Sequence, residues 1–424
     1  SDVAQKIASS LEAKLTGREK KDISADTGTK IPEAYEAYLQ ALALEQRQGP
    51  EALEKGIAFS RRAVELDPNY AQAWAQLAIA ESQKSGYEHT PAQLQRARLA
   101  AQTALRLAPE LPAAHKAMGS FYYYCLSDYD RALSELNMAR EQEPNNANTI
   151  LSIALVQRRQ GKLDASINLQ QQASKLDPLN EDIWANLGRS FRAIRDFEEA
   201  RAIFDRALTI VPGDPEILAQ KAETYLAQGD LDTAWAMIKD LKLPPTSWGF
   251  GTYFTLLVYQ RRYDDVIARV SSLLAKEKEL PPAFVTIGHA ALGGLYRLKG
   301  DGAQAQTFLL QSEQELNEMR AHGVPVDGDL LLVEARLGRR DQVEQLADAF
   351  LRRTEKDKWE FPGSEVAVAK AYSTLGEFDR ALPLLQQALS APYVQSLTPA
   401  YLRYDPEWDP VRNDPRFQKL ENGH

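Results

Sequence analysis

The sequence predicts an all-α fold, an α-solenoid in which about ten helix–turn–helix units stack in a row. Pro144, Pro178 and Pro212 are separated by steps of 34 residues, and proline ends a helix because it lacks the main-chain donor that the helix needs. In the unit that Pro212 closes, large residues such as Trp184 and small ones such as Gly188 recur at the three- and four-residue spacing of a helical face. One unit cannot bury such a face alone, so the pattern predicts that neighbouring units stack.

Residues 1–30 are predicted to form an amphipathic helix and a linker. Val3, Ile7, Leu11 and Leu15 follow one helical stripe, and the polar stretch TGREKKDISADTGTK comes next. The sequence begins without Met and within a helical pattern, so we expect it to be a segment of a longer protein.

Residues 31–243 are predicted to form the regular part of the array. The stretches EAYEAYLQAL, AWAQLAIAESQ, HKAMGSFYYY and LAQKAETYLAQ each give the first helix of a unit, and the two earliest units close at Pro68 and Pro109. Extra residues in these units fall between paired helices, where a loop tolerates added length.

Residues 244–397 are predicted to continue the array with divergent units, and residues 398–424 are predicted to form a cap. The stretch LPPTSWGF interrupts the spacing, after which four turns followed by apolar helical faces remain recognisable. The prolines of the last stretch are too closely spaced for a long helix. Its aromatic residues, which we expect to cover the final apolar face, are Tyr401, Tyr404, Trp408 and Phe417.

The composition is that of a globular chain, with 424 residues of which 44% are hydrophobic and 26% are charged. A net charge of -9 argues against direct nucleic-acid binding by this segment, because phosphate binding needs clustered Lys and Arg. No apolar window has the length of a spanning helix, so we expect no membrane insertion of this segment. Cys125 is the single cysteine and can form neither an internal disulfide nor a cysteine metal site.

The sequence contains no pattern typical of a catalytic, cofactor or metal site, so we expect a protein that is not an enzyme and that binds no cofactor or metal. The five histidines form no metal motif, and His115 takes a packing position of its repeat. The stretches GDGAQAQ and SWGFGTY lack the strand that precedes a phosphate-binding loop. Neighbouring carboxylates such as Glu198 and Glu199 point about 100° apart on a helix and cannot share one proton transfer.

The spacing of Trp184, Gly188, Phe191 and Ala200 resembles that of the tetratricopeptide repeat, a helix–turn–helix unit of 34 residues. The resemblance implies a right-handed solenoid with a concave inner surface. It also implies that the first helix of each unit lines this surface, and that the partner is a protein or a peptide.

We predict that the partner contacts first-helix residues next to the packing positions. These residues are Tyr123, Tyr124, Arg158, Arg159, Asn186, Arg189 and Arg192. Arginine binds carboxylate or phosphate in a bidentate manner, and tyrosine offers a flat apolar ring with a hydroxyl group. The hypothesis is that this wall binds an extended acidic peptide or a tail that carries a carboxylate.

The alternative is that these arginines pair with Glu or Asp of neighbouring repeats and only keep the array soluble. Two known ligand classes fit poorly. The Lys positions of chaperone-tail-binding repeats are absent around Asn186, and the Asn ladder of sugar-transferase arrays is missing. The positions equivalent to Asn186 hold Gln76, Ala117, Ser152 and Gln220.

A second candidate site is the aromatic patch of Trp248, Phe250 and Tyr253, which follows Pro244 and Pro245. As a functional site it would be an apolar pocket or a self-association surface. The alternative is a kink that packs on itself, because aromatic clusters usually belong to the core.

The stretches VAQKIASSLEAKL, IPEAYEAYLQALAL and YDPEWDPVRNDPRFQKL resemble the C-terminal half of large bacterial signalling proteins. In that family a winged-helix DNA-binding domain, a serine/threonine kinase or a nucleotide cyclase precedes the repeats, often with a transmembrane helix between them. The resemblance implies a periplasmic or other extracytoplasmic array in membrane-spanning members and a cytoplasmic array in soluble ones.

Three functions are compatible with the sequence. The first is a non-enzymatic protein–protein interaction scaffold, the sensor or docking region of a bacterial signalling or transcription-regulatory protein. The second is a regulatory or substrate-recruiting module of a kinase or cyclase whose catalytic domain is absent from this chain. The third is a self-assembling scaffold, which would form homo-oligomers.

Overall fold

The computed structural model describes residues 28–45, 50–88, 90–245, 247–395 and 397–423. These residues form α-helices and two short 3₁₀ helices, and none of them belongs to a β-strand. The predicted N-terminal stripe from Val3 to Leu15 lies outside the described residues.

The described chain divides into two units. Unit 1 contains the described residues up to Gln157 together with Asp164–Ile183. Its helices in chain order are α1 (Pro32–Glu45), α2 (Pro50–Leu66), α3 (Ala71–Glu88), α4 (Pro91–Leu107), α5 (Pro112–Leu126), α6 (Tyr129–Gln142), α7 (Ala147–Arg159) and α8 (Leu163–Leu176).

Unit 2 contains Arg158–Leu163 and the described residues from Trp184 onward. Its helices are α9 (Glu181–Ala193), α10 (Phe197–Ile210), α11 (Pro215–Gln228), α12 (Leu231–Ile238), α13 (Trp248–Tyr259), α14 (Tyr263–Leu274), α15 (Pro282–Leu298), α16 (Gly302–Ala321), α17 (Asp327–Arg336), α18 (Arg340–Thr354), α19 (Phe361–Thr374), α20 (Phe378–Ser390), α21 (Pro399–Tyr404) and α22 (Pro415–Glu421). The 3₁₀ helices are Glu277–Glu279 and Pro406–Val411.

Helices α1 to α20 form ten successive pairs in the described part of the chain. In unit 1 each of α1, α3 and α5 packs on the helix that follows it, and α3 also packs on α5. In unit 2 the helices α11, α15, α17 and α19 pack on their followers, and α17 also packs on α19. The predicted all-α solenoid of about ten units is confirmed. The predicted domain boundaries at residues 243 and 397 stay predictions.

The ends of the second helices follow the prolines. Helices α6, α8 and α10 each end two residues before Pro144, Pro178 and Pro212, respectively. The main-chain N–H of the residue after the helix still bonds back into the last turn in α6 and α10, and the proline then prevents continuation. The 34-residue step of the sequence is therefore a step between helix ends.

Glycine permits the closest approach of paired helices. A methyl group on Gly188 in α9 would lie 2.5 Å from Cε1 of Phe204 in α10. One on Gly119 in α5 would lie 2.7 Å from Cγ of Leu136 in α6. Both distances are shorter than carbon atoms tolerate, so these positions require glycine for the observed packing.

In the eight pairs from α5 onward, the turn inside the pair contains a residue with positive φ. In five of these eight turns the residue is glycine, namely Gly161, Gly229, Gly300, Gly338 and Gly376. Ser127, Arg195 and Arg261 adopt the same conformation with φ of 48°, 64° and 59°. A residue with a side chain loses about 1 kcal/mol of stability in this left-handed backbone conformation. We therefore expect the side chains of Arg195 and Arg261 to make contacts that offset this cost.

Candidate functional site

The first helices of unit 1 line one surface cleft. Side chains from α1, α3, α5, α7 and the beginning of α9 contribute to it. The lining residues are Glu45, Ile79, Gln83, Lys116, Ser120, Tyr124, Asn148, Leu151, Ser152, Leu155, Asn180 and Asp182.

Helix α7 supplies four of the lining residues of the cleft. Asn148, Leu151, Ser152 and Leu155 lie at intervals of three and four residues, which places them on one helical face. Leu151 is buried and belongs to the core that α7 forms with α8, whereas Leu155 is half-buried. The cleft therefore has an apolar base, and polar groups such as those of Asn148 and Ser152 lie around it.

One ion pair lies in the cleft. Nζ of Lys116 is 2.6 Å from Oε1 of Glu45, and both side chains are 12% exposed. The pair joins the end of α1 to the first turns of α5. Because each charge has its partner, the pair leaves no unpaired cation at this point of the cleft.

A chain of amide hydrogen bonds joins lining residues of the cleft. The main-chain N–H of Asp182 donates to Oδ1 of Asn180 over 3.1 Å. Nδ2 of Asn180 donates to Oδ2 of Asp177 over 3.3 Å and to Oδ1 of Asn148 over 3.0 Å. Each amide orientation is thereby determined by its neighbours.

The predicted site residues are divided between the two units. Tyr123 and Tyr124 belong to unit 1, and the five others belong to unit 2. Tyr124 lines the cleft of unit 1. Tyr123 is buried and packs edge-on against Tyr124, with ring centroids 4.6 Å apart.

Arg158 and Asn186 are buried and bonded to each other. Arg158 is 6% exposed, and its guanidinium donates to Oδ1 of Asn186 and Oγ of Ser190, each over 3.3 Å. The same guanidinium lies over the ring of Trp359, 4.0 Å from its centroid. Arg159 forms an ion pair with Asp357. The residues before α19 thus contact the end of α7 within unit 2.

Arg192 is 1% exposed and contacts Glu223 and Val394 in unit 2. It forms an ion pair with Glu223, and Nη2 donates to the main-chain carbonyl of Val394 over 2.7 Å. Burial lowers the pKa of the Arg192 guanidinium, and the nearby Arg189 lowers it further. Arg189 is half-buried and has no ion-pair partner among the described residues. Its predicted role, like that of the other four, stays a prediction.

Residues 391–395 and 397–412, which we call the return segment, lie against the first-helix side of unit 2. The side chain of Arg195 donates to the carbonyls of Ala391 and Leu397, each over 3.1 Å. Oγ1 of Thr398 donates to the carbonyl of Ala227 over 2.6 Å. Further along, Asp405 pairs with Lys370, Glu407 with Arg297 and Arg336, and Asp409 with Arg261.

The return segment therefore contacts α9, α11, α15, α17 and α19 and the turns after α9 and α13. Arg195 and Arg261, the two arginines with positive φ, both use their side chains for these contacts. Trp408 is 1% exposed and packs with Phe417 in the core that includes α17 to α20. Acidic side chains of the return segment thus form ion pairs with basic residues on first helices of unit 2.

The second predicted site lies partly outside the described residues. Only the main chain of Trp248 is described. Phe250 is buried with its ring centroid 4.4 Å from that of Phe254, and Tyr253 lies 5.3 Å from Trp235. These two rings pack on their own unit, and their predicted role as a patch stays a prediction.

No group of three or more His, Cys, Asp or Glu residues in the described ranges is arranged to hold a metal ion. His115 and His289 each lie beside one glutamate, with Nδ1 2.8 Å from Glu135 and 2.9 Å from Glu315, respectively. No described helix combines the length and the apolar character needed to cross a membrane.

Sequence reasoning missed Lys116, Asn148 and Asn180. Asn148 and Asp182 differ by the repeat length of 34 positions, so the two occupy the same register position at the beginning of α7 and α9. That repetition of polar residues is the signal in the sequence that indicates the cleft.

Comparison with known proteins identifies the repeats. Tetratricopeptide repeat family models match residues 151–215, 193–244 and 366–398. No curated protein matches the sequence.

Several solved structures match parts of the chain. TTC0263, a thermophilic tetratricopeptide repeat protein of Thermus thermophilus, is 18% identical over 46% of this chain and 99% of its own, with a TM-score of 0.38. The pilF protein of Pseudomonas aeruginosa is 20% identical over 52% of this chain and 96% of its own, with a TM-score of 0.35. The human IFIT1 dimer with PPP-AAAA is 14% identical over 87% of this chain and 76% of its own, with a TM-score of 0.43.

The family models match helices that the structure pairs as repeat units, from α7 to α12 and again in α19 and α20. Arrays of such repeats bind other proteins on their inner surfaces. The chain contains tetratricopeptide repeats.

Proposed function

We propose that the chain is a protein–protein interaction scaffold that binds an extended segment of a partner protein in the cleft of unit 1. The observation that carries the proposal is the lining of this cleft by side chains from successive first helices. An extended peptide offers donors and acceptors along its main chain, which polar residues such as Asn148 and Gln83 can meet. Its side chains can contact apolar positions such as Leu151 and Leu155.

The charges of the cleft favour a neutral or mixed peptide. Glu45 neutralises Lys116, and Asp182 adds a further acidic group to the lining. Acidic peptides gain most from unpaired cations, and Lys116 is the one cationic residue of the lining. A preference for acidic partners, as the arginines predict, would depend on Arg189 in unit 2.

The wider context that we propose is the docking region of a bacterial signalling or transcription-regulatory protein. The resemblance of the repeat and terminal stretches to such proteins supports it. A winged-helix, kinase or cyclase domain encoded upstream in the same gene is the expected finding, and the compartment would follow from that domain. An upstream sequence that encodes only further repeats would contradict this context and leave the cleft unaffected.

Selection from a random-peptide library on the immobilised chain tests the binding function. Ser152 lines the cleft, and Ser152→Trp should fill it without removing a core side chain. We expect peptides selected on the wild-type chain to bind it in fluorescence polarisation and to lose at least tenfold in affinity for Ser152→Trp.

Ser134→Trp is the matched control because Ser134 is exposed on α6 and does not line the cleft. It should bind the selected peptides like the wild type. Circular dichroism should show the same helicity for both variants. Failure to enrich any peptide, or equal binding by Ser152→Trp, would contradict the proposed function.

A further inference from the structure

We infer that Asn148 determines how a peptide binds in the cleft of unit 1 by donating a hydrogen bond to a main-chain carbonyl of the bound segment. The inference rests on the proposed function of that cleft. It adds the donor residue, the chemical group that the donor binds, and the residue that orients the donor.

The amide orientation of Asn180 is determined by two partners of fixed character. A main-chain N–H can only donate, and that of Asp182 points at Oδ1 of Asn180 over 3.1 Å. A carboxylate can only accept, and Oδ2 of Asp177 lies 3.3 Å from Nδ2 of Asn180. The oxygen and the nitrogen of Asn180 are therefore assigned by the hydrogen bonds.

The orientation of Asn148 follows from that of Asn180. Nδ2 of Asn180 donates to Asn148 over 3.0 Å, so the atom of Asn148 that receives this bond is its Oδ1. The other atom, Nδ2, carries two hydrogens and has no acceptor among the described residues. Asn148 lines the cleft and is half-buried, so a ligand that supplies an acceptor there completes its hydrogen bonds.

A main-chain carbonyl fits this donor better than a carboxylate does. The titratable lining residues that carry charge are Glu45, Lys116 and Asp182, two acids and one base. Lys116, the one base of the lining, already pairs with Glu45, so a ligand carboxylate gains no cation of the lining. A carbonyl oxygen accepts from an amide without adding charge. Peptides offer such a carbonyl at every residue, so the contact does not require one particular side chain in the peptide.

Two substitutions at Asn148 separate polarity from size, with a peptide selected on the wild-type chain as the probe. Asn148→Leu removes both donors at similar volume, and we expect roughly fivefold weaker binding. Asn148→Asp keeps the shape but replaces the donor by an acceptor, so the loss should be larger. Asn146→Ser, at the beginning of the same helix and outside the cleft lining, is the control and should bind like the wild type.

Asn180 is a positioning residue in this scheme, and non-additivity tests it. Asn180→Ser keeps an acceptor for the N–H of Asp182 but loses the donor to Asn148. We expect this change to weaken peptide binding in the wild-type background and to have no further effect in Asn148→Leu. Equal effects in both backgrounds would show that Asn180 acts only through stability.

Ester substitution in the selected peptide identifies the carbonyl, because an ester carbonyl is a weaker acceptor than an amide carbonyl. We expect one position at which the ester weakens binding to the wild type and has no such effect on Asn148→Leu. If every ester position affects the wild type and Asn148→Leu equally, the assignment of a main-chain carbonyl is wrong.

The results distinguish this inference from the proposed function. If Ser152→Trp abolishes binding while Asn148→Asp and Asn148→Leu bind like the wild type, the cleft is the site and the inference about Asn148 is wrong. If Ser152→Trp also binds like the wild type, the proposed function itself is wrong.

Discussion

The guanidinium of Arg192 donates a hydrogen bond to the main-chain carbonyl of Val394, although the two residues are 202 positions apart in the chain. Both belong to unit 2, and Arg192 also forms an ion pair with Glu223 there. A repeat array needs contacts only between neighbouring units. This hydrogen bond instead ties the return segment to a helix far away in sequence.

Arg192→Ala should lower the stability of unit 2 by about 3 kcal/mol, because removal of one partner from a buried ion pair leaves the other charge unpaired. We expect a lower midpoint of thermal unfolding and faster hydrogen exchange in the return segment. Arg131→Ala is the control, since Arg131 is mostly exposed and pairs with Asp128 on the surface. An Arg192→Ala chain that melts like Arg131→Ala would show that Arg192 contributes little to the stability of unit 2.

The repeat pairs could be predicted from the sequence because their contacts are local. Pro144 and Pro178 end helices at positions that depend on their own turns alone. Gly188 and Phe204 meet because the pair that holds them is a short hairpin. A fixed spacing of residues therefore carries nearly all the information that a repeat unit needs.

The return segment could not be predicted in the same way. Arg192, Arg195 and Glu407 contact residues more than one repeat away, and no periodic signal links them. The same limit applies to the cleft. The place of Tyr124 on a first helix is enough to predict that it lines the cleft. The orientation of Asn148 instead depends on Asn180 in the loop before the next helix.

Arg195→Gly should destabilise the protein even though glycine suits the left-handed backbone of this position better. The relief of backbone strain is worth about 1 kcal/mol, whereas the guanidinium donates to the carbonyls of Leu389, Ala391 and Leu397. Hydrogen bonds from a charged donor contribute about 1.5–3 kcal/mol each. The midpoint of urea unfolding should therefore fall.

Ser127→Gly is the matched substitution for Arg195→Gly. Ser127 is exposed, has φ of 48° and ends α5 in the left-handed conformation. Because glycine relieves the backbone strain and the exposed serine side chain packs on little, the free energy of unfolding should rise by up to about 1 kcal/mol. Stabilisation by both substitutions would mean that Arg195 does not hold the return segment.

Gly188→Ala should destabilise the pair of α9 and α10. The added methyl group would lie 2.5 Å from the ring of Phe204, which is fully buried. Overpacking of this kind costs about 1–3 kcal/mol. Gly302→Ala is the control, because nothing lies within 4 Å of that position and its φ is not positive. Chemical denaturation should show a lower free energy of unfolding for Gly188→Ala and an unchanged one for Gly302→Ala.

Glu407 should make the stability of unit 2 depend on pH. Burial acts to raise the pKa of this carboxyl, but Arg336, Lys370 and Arg297 outweigh burial and hold the pKa below the usual 4.5. The ionised form is therefore the one that favours folding. Its contribution is complete above about pH 4.5 and is lost as the pH falls through the lower pKa of the folded state.

Glu407→Gln should accordingly cost about 2 kcal/mol at neutral pH, since it removes the charge from hydrogen bonds of 3.1 and 3.2 Å to Arg336 and Arg297. The difference from the wild type should shrink as the pH falls below 4.5, because the wild-type carboxyl then becomes neutral as well. Glu51→Gln serves as the control, because Glu51 lies on the exposed surface of α2 and bonds only to Lys55 among the described residues. Urea unfolding at a series of pH values measures all three chains. A Glu407→Gln difference that stays constant from neutral to acidic pH would mean that size and packing, and not the charge of Glu407, stabilise the return segment.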